Sequence, residues 1–126
     1  MPKILLSILA IIIGIILTCL KIFLTKDGRE VSPAEARENI SNDYYDYILD
    51  VRSSNEWNSG HLQQAKFVPV TELDAGNYNR IRNIPKNSRI LVHCKRGIRA
   101  KRAANILNKL GYKYVDYLKG GYEDLK

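Results

Sequence analysis

Cysteine is nearly absent: the 126-residue chain has two. Cys19 falls in an apolar N-terminal run and Cys94 in the polar remainder. The folded part therefore has no partner for an internal disulfide and no Cys-x-x-Cys dithiol. Any sulfur or oxidising equivalent gained by Cys94 must leave to an outside acceptor. Acidic residues are missing from one long interval. None occurs between Asp74 and Asp116, whereas eleven basic residues from Arg80 to Lys113 lie there and contribute to a formal charge of +7. A field of one sign concentrates small anions and repels cations. It would draw nucleic acid too, but no aromatic–basic alternation or binding motif accompanies it, so nucleic acid is not an expected partner.

Charge is also missing from Ile4 to Leu20 (ILLSILAIIIGIILTCL). Extended past Lys21, which can snorkel, to Leu24, the run is about 21 residues, or roughly 31 Å of helix, enough to cross a bilayer. A cleaved signal peptide would have a shorter apolar core and a small-x-small site after it, and none is evident. The lipoprotein-like Ile16-Leu17-Thr18-Cys19 has threonine where glycine, alanine or serine is usual. The expectation is one uncleaved transmembrane helix over about residues 4–24, in an anchor-and-linker segment 1–30, followed by one folded domain over 31–126. Lys21, Lys26, Arg29 and Arg37 follow the span and only Lys3 precedes it. That bias predicts a single-pass protein with its domain on the cytoplasmic side.

What remains after residue 30 alternates between strand and helix patterns. Ser32-Pro33-Ala34-Glu35 reads as a capping box opening a helix through about Asn39. Tyr47 to Val51 reads as a strand, followed by a short helix capped by Ser53 or Ser54 and broken at Ser59-Gly60. Lys66 to Val68 is a third-rank strand stopped by Pro69, and Thr71–Leu73 and Tyr78–Ile81 read as helical turns. Arg89 to His93 is a strand. The next helix places Ala100, Ala103, Ala104, Leu107 and Leu110 on one face, and Gly111 ends it. Tyr114 to Leu118 is the last strand. Such alternation predicts an α/β fold with a central parallel sheet covered on both faces. Ligands of these sheets bind beyond the carboxyl ends of the strands, where both Asp50 and Cys94 fall.

Cys94 is the focus of the chemistry. A strand that ends in cysteine and turns straight into a helix aims the sulfur at unpaired amides and at the positive end of the helix dipole, surroundings that favour a thiolate. A packing cysteine is the usual fate of a lone thiol. It does not need Lys95, Arg96 and Arg99 within five positions.

Five pieces in order then carry a resemblance across nearly the whole polar part. They are Leu49-Asp50-Val51-Arg52; Glu56-Trp57 with Gly60-His61-Leu62; Pro69; Val92 through Arg99; and Leu118-Lys119-Gly120-Gly121-Tyr122. Together they resemble a rhodanese domain, a three-layer α/β fold, preceded here by the apolar run. The resemblance implies a sulfurtransferase of the thiosulfate type. Cys94 would take a sulfane sulfur from a small anionic donor such as thiosulfate and pass it to a thiol or cyanide, with a protein acceptor as a further option. Lys95, Arg96, Gly97, Ile98 and Arg99 would bind the donor, with the amides cradling the sulfur and the cations gripping its oxyanion end. Asp50 and Arg52 would brace the site, and His61 would be structural. No metal or cofactor is called for. Two departures stand out: Gln64-Ala65 where glycine before alanine is common, and Leu125 where a tryptophan often follows the glycine pair. Two other readings are weighed. A Cys-dependent phosphatase or arsenate reductase has one more residue between cysteine and arginine than Lys95 to Ile98 provides. A noncatalytic docking module at the membrane often loses the cysteine or the loop cations, both present here.

Overall fold

β-Branched, leucine and tyrosine side chains fill most of the short runs that begin at Tyr47, Arg89 and Tyr114, the composition of strands covered on both faces. The computed structural model describes residues 3–24 and 28–126, with side chains of residues 20–24 excepted. Strands β1 (Arg29–Val31), β2 (Tyr47–Asp50), β3 (Ala65–Phe67), β4 (Arg89–His93) and β5 (Tyr114–Leu118) form one sheet in the order β1-β5-β4-β2-β3. Every neighbouring pair is parallel. Helices α2 (Pro33–Ser41), α3 (Ser54–Asn58), α4 (Val70–Asp74) and α5 (Ile98–Lys109) connect them.

Alternation along the strands splits the core in two. Leu49, Ile90, Val92, Val115 and Tyr117 face one cluster with Ala100, Ala103, Ala104 and Leu107 of α5. Ile48, Leu91 and Leu118 face the other, with Val31, Ala36 and Leu125. Three alanines on the buried face of α5 let that helix lie close against the sheet. The tryptophan that Leu125 replaces is not missed as packing, since Leu125 is itself buried.

Local signals act where the sequence places them, with one exchange of roles. Ser32 caps α2 by accepting from the Glu35 amide at 3.1 Å, but the Glu35 carboxylate turns to Arg29 at 3.0 Å instead of back to the cap. The reciprocal capping box belongs to α3, between Ser53 and Glu56.

The expected transmembrane helix is the main point of difference. Helix α1 (Lys3–Leu24) is continuous over 22 residues. Among the described residues, however, no helix is both long and apolar enough to cross a membrane. Side chains beyond Cys19 in α1 lie outside the described set, so the span as read to Leu24 rests on sequence alone. Of the expected linker, residues 25–27 also lie outside the described residues. Arg29 and Glu30, expected to be linker, instead pair with Asp116 and Tyr117 as the edge strand β1. Three residues with two exposed charges show no period, so nothing in the sequence marked them. What fixes them is tertiary: Arg29 donates to Asp116 through Nε and Nη2, both at 3.3 Å. Gly28 lies so close to α5 that a Cβ there would stand 2.6 Å from the Ala104 methyl.

Candidate active site

Cys94 follows directly on β4 and is 1% exposed. After it the chain turns through Lys95, Arg96 and Gly97, and Gly97 adopts a left-handed φ of 100° as the residue before α5. That conformation is strained for any residue with a side chain. It swings successive amides inward, so the Gly97 N–H donates to Cys94 Sγ at 3.0 Å and the Ala100 N–H at 3.4 Å. Convergent amides at a helix start form an anion-binding concavity, and here sulfur occupies it.

The loop is held from behind by the chain's last segment. The Tyr122 N–H donates to the Cys94 carbonyl at 2.9 Å. A Cβ on Gly121 would fall 1.7 Å from the Lys95 carbonyl oxygen, and one on Gly97 would stand 3.3 Å from the Leu118 carbonyl oxygen. The glycine pair is therefore needed for close approach of two backbones.

Four cations surround this turn in two different conditions. Lys95 and Arg96 are exposed, and neither takes part in an ion pair among the described residues. Ile98, at the start of α5, is 79% exposed. Arg99 is instead committed: its Nη1 and Nη2 donate to Glu56 Oε1 and Oε2 at 2.7 and 3.1 Å. The Arg99 hydrogen bond, opposed by partial burial and helped by Ser53, holds the Glu56 carboxyl at about 2, below the usual 4.5. Arg52 is committed too. Its Nε and Nη2 donate to the Asp50 oxygens at 2.7–3.1 Å, and Nη2 also donates to the Gly60 carbonyl at 2.7 Å. The Arg52 guanidinium lies 4.3 Å over the Tyr122 ring.

His93 directly precedes Cys94 and is wholly buried. Neither ring nitrogen has a hydrogen-bond partner among the described residues. Burial lowers its pKa below 6.5 despite Asp50, whose Oδ2 is 4.0 Å from Nε2, so the ring is neutral at physiological pH. His61 is exposed and stacks on Trp57 with ring centres 3.5 Å apart, its Nδ1–H donating to the Trp57 carbonyl at 2.9 Å.

The profile of the rhodanese-like domain matches residues 32–126. The chain belongs to the rhodanese-like family. Among its relatives is a tRNA uridine(34) hydroxylase of Protochlamydia amoebophila, 30% identical over 78% of this chain and 32% of that protein. Another is a probable adenylyltransferase/sulfurtransferase, MoeZ, of Mycobacterium tuberculosis, 26% identical over 75% of this chain and 24% of that protein. The chain thus spans about a quarter to a third of the length of these two relatives. The solved human single-domain sulfurtransferase TSTD1 has the same fold, with a TM-score of 0.64 and 23% identity, covering 79% of this chain and 94% of that one.

Within this rhodanese-like fold, Cys94 to Arg99 form one turn. Asp50 lies on the adjacent strand as the register partner of His93. The structure adds groups to which the sequence reading gave no role. Glu56 was visible only within the Glu56-Trp57 piece of the resemblance, and nothing local announced that its carboxylate would meet Arg99, 43 positions on. Tyr122 and Gly121 support the backbone of Cys94 and Lys95 from the far end of the domain. His93 read simply as the end of a strand.

Proposed function

We propose that the protein is a thiosulfate-type sulfurtransferase working through a persulfide on Cys94. The observation that carries this reading is the sulfur seated among the Gly97 and Ala100 amides at the end of β4. Membership of the rhodanese-like family, with relatives named for sulfur transfer, supports it. In the first half-reaction the Cys94 thiolate attacks the outer sulfur of the donor. A new S–S bond forms, the donor's S–S bond breaks, and sulfite leaves with the bonding pair. In the second, a thiolate or cyanide attacks the outer sulfur and Cys94 departs as the thiolate, so no external electrons are needed. The amides from Lys95 to Arg99 hold the negative persulfide, and Lys95 and Arg96 meet the anionic end of the donor. Asp50 and Arg52 fix the strand end from which the loop springs.

The test is mass spectrometry of the intact chain after anaerobic treatment with thiosulfate. Cys94 should gain the mass of one sulfur atom and lose it to cyanide, and Cys94→Ser should gain none. An unmodified wild-type chain would sink the assignment.

We further propose that residues 4–24 anchor the protein in a membrane with the domain on the cytoplasmic side. The hydroxyls of Ser7 and Thr18 donate to carbonyls four residues back at 3.1 and 2.8 Å, so these groups need no water in the apolar stretch. Ile4, Ile11 and Leu17 are 73%, 62% and 61% exposed, without a protein surface to cover them. Since all strands are parallel and the chain enters the sheet at Arg29, the Cys94 loop lies at the carboxyl ends of the strands, opposite that entry. Flotation of the full chain with vesicles, and its loss on deleting residues 4–24, tests the anchor.

A further inference from the structure

We infer that Glu56 sets which sulfur donors the site accepts, by holding the Arg99 guanidinium against a carboxylate that a multiply charged donor must displace. The inference deepens the sulfurtransferase reading and rests on it. Both arms of the Arg99 fork are engaged, at 2.7 and 3.1 Å. A guanidinium offers a sulfonate or sulfate face the same planar pair of donors that it offers a carboxylate, so Glu56 occupies the place that the donor's oxyanion would take. Glu56 is itself held still. Its Oε1 accepts from the Ser53 N–H at 3.1 Å and from the Ser53 hydroxyl at 3.0 Å, which ties the carboxylate to the start of α3.

The charge on Glu56 is surplus to that structural task. An N3 glutamine serves a capping box as well as glutamate does. What the carboxylate adds is neutralisation of a cation close to the nucleophile: the raised pKa of Arg99 has the Glu56 hydrogen bond as its first cause, with smaller contributions from the Cys94 sulfur and Asp50. A dianion entering the turn therefore meets the Arg99 charge already balanced, with a fixed carboxylate beside it. Lys95 and Arg96 remain for the anionic end of the donor. Thiosulfate remains a donor, and Glu56 shifts the preference of the site toward singly charged or neutral sulfane donors, such as an organic thiosulfonate or an organic persulfide.

The experiment compares thiosulfate with methanethiosulfonate, which presents the same transferable sulfur with one negative charge fewer, using full-length wild type and Glu56→Gln and cyanide as acceptor. In Glu56→Gln the KM for thiosulfate should fall roughly tenfold with kcat little changed, while methanethiosulfonate kinetics stay near wild type. Inhibition by sulfate should tighten in parallel. The gain should vanish in Glu56→Gln/Arg99→Ala. Equal changes for both donors, no change for either, or a gain that survives loss of Arg99 each overturn the role of Glu56. Should Glu56→Gln fold poorly, Glu56→Asp, which keeps the charge but shortens the reach, must show a smaller shift in the same direction. Persulfide formation with an unaltered donor ratio defeats this inference alone; absence of persulfide from either donor defeats the transferase reading beneath it.

Discussion

Two guanidinium–carboxylate pairs flank the Cys94 turn, and they differ chiefly in their access to water. In Arg52–Asp50 the side chains are 6% and 0% exposed; in Arg99–Glu56 they are 34% and 26% exposed. The buried pair is closed on every side, since Arg52 also reaches the Gly60 carbonyl and the Tyr122 ring, and the Asp50 Oδ1 accepts the Arg52 amide at 3.1 Å. Separating those charges would leave each desolvated and unpaired. In the half-open pair Glu56 stays tied to Ser53, but the Arg99 fork is open to solvent, where an incoming anion can compete for it. A fixed pair makes a scaffold; an exchangeable one makes a selector. The same two chemical groups thus serve opposite ends within one site.

The largest expected effect breaks the buried pair. Arg52→Ala or Asp50→Asn should lower unfolding free energy by about 3–5 kcal/mol, because one buried charge or its partner's polar atoms are stranded. Replacing both, as Asp50→Leu with Arg52→Met, should be less damaging than either single change. Denaturant midpoints of the three variants decide it. If the double variant is no better than the singles, desolvation is not what makes this pair rigid.

Next in size is Gly121→Ala. The added methyl overlaps the Lys95 backbone carbonyl, and a backbone cannot step aside as a flexible side chain can. The cost should be about 1–3 kcal/mol, with a larger proportional loss of persulfide formation, since the displaced loop carries the amides that seat the sulfur. A variant that loses stability but loads sulfur normally would show that the tail supports the fold and not the turn.

The contrast between the pairs also explains what could be read from the sequence. Val92-His93-Cys94 and the period of α5 are local signals, and they placed Cys94 at the strand-to-helix turn without further help. Asp50 and Arg52 are two residues apart on one strand end, so their pairing is nearly local as well. Glu56 and Arg99 come from two separate connections that meet only because β2 and β4 are neighbours in the sheet. Strand β1 escaped for a related reason, being three residues long and held by Asp116 and Ala104 from the other end of the domain. Local rules locate elements; they do not say which surplus side chain will meet another.

Arg99→Ala sharpens the comparison from the other side. An ion pair this open contributes below about 1 kcal/mol after solvent screening, so the midpoint should move little while donor kinetics change. A loss approaching that of Arg52→Ala would mean the two pairs are alike in kind.

The smallest effect is in acid, where two groups act in separate windows. Glu56 has a folded-state pKa near 2, below its usual 4.5, so its contribution is complete above about pH 4.5 and is lost as pH falls toward 2. His93 is held neutral by burial, below its usual 6.5. The unfolded chain then binds a proton more readily than the folded one, and stability declines as pH drops below 6.5. Wild type should therefore weaken in two stages. Glu56→Gln should erase the lower stage and leave the upper, and His93→Phe should flatten the upper and leave the lower. Both measurements are thermal midpoints across pH 2–7. An upper stage that survives in His93→Phe would move its origin away from the buried imidazole beside Cys94.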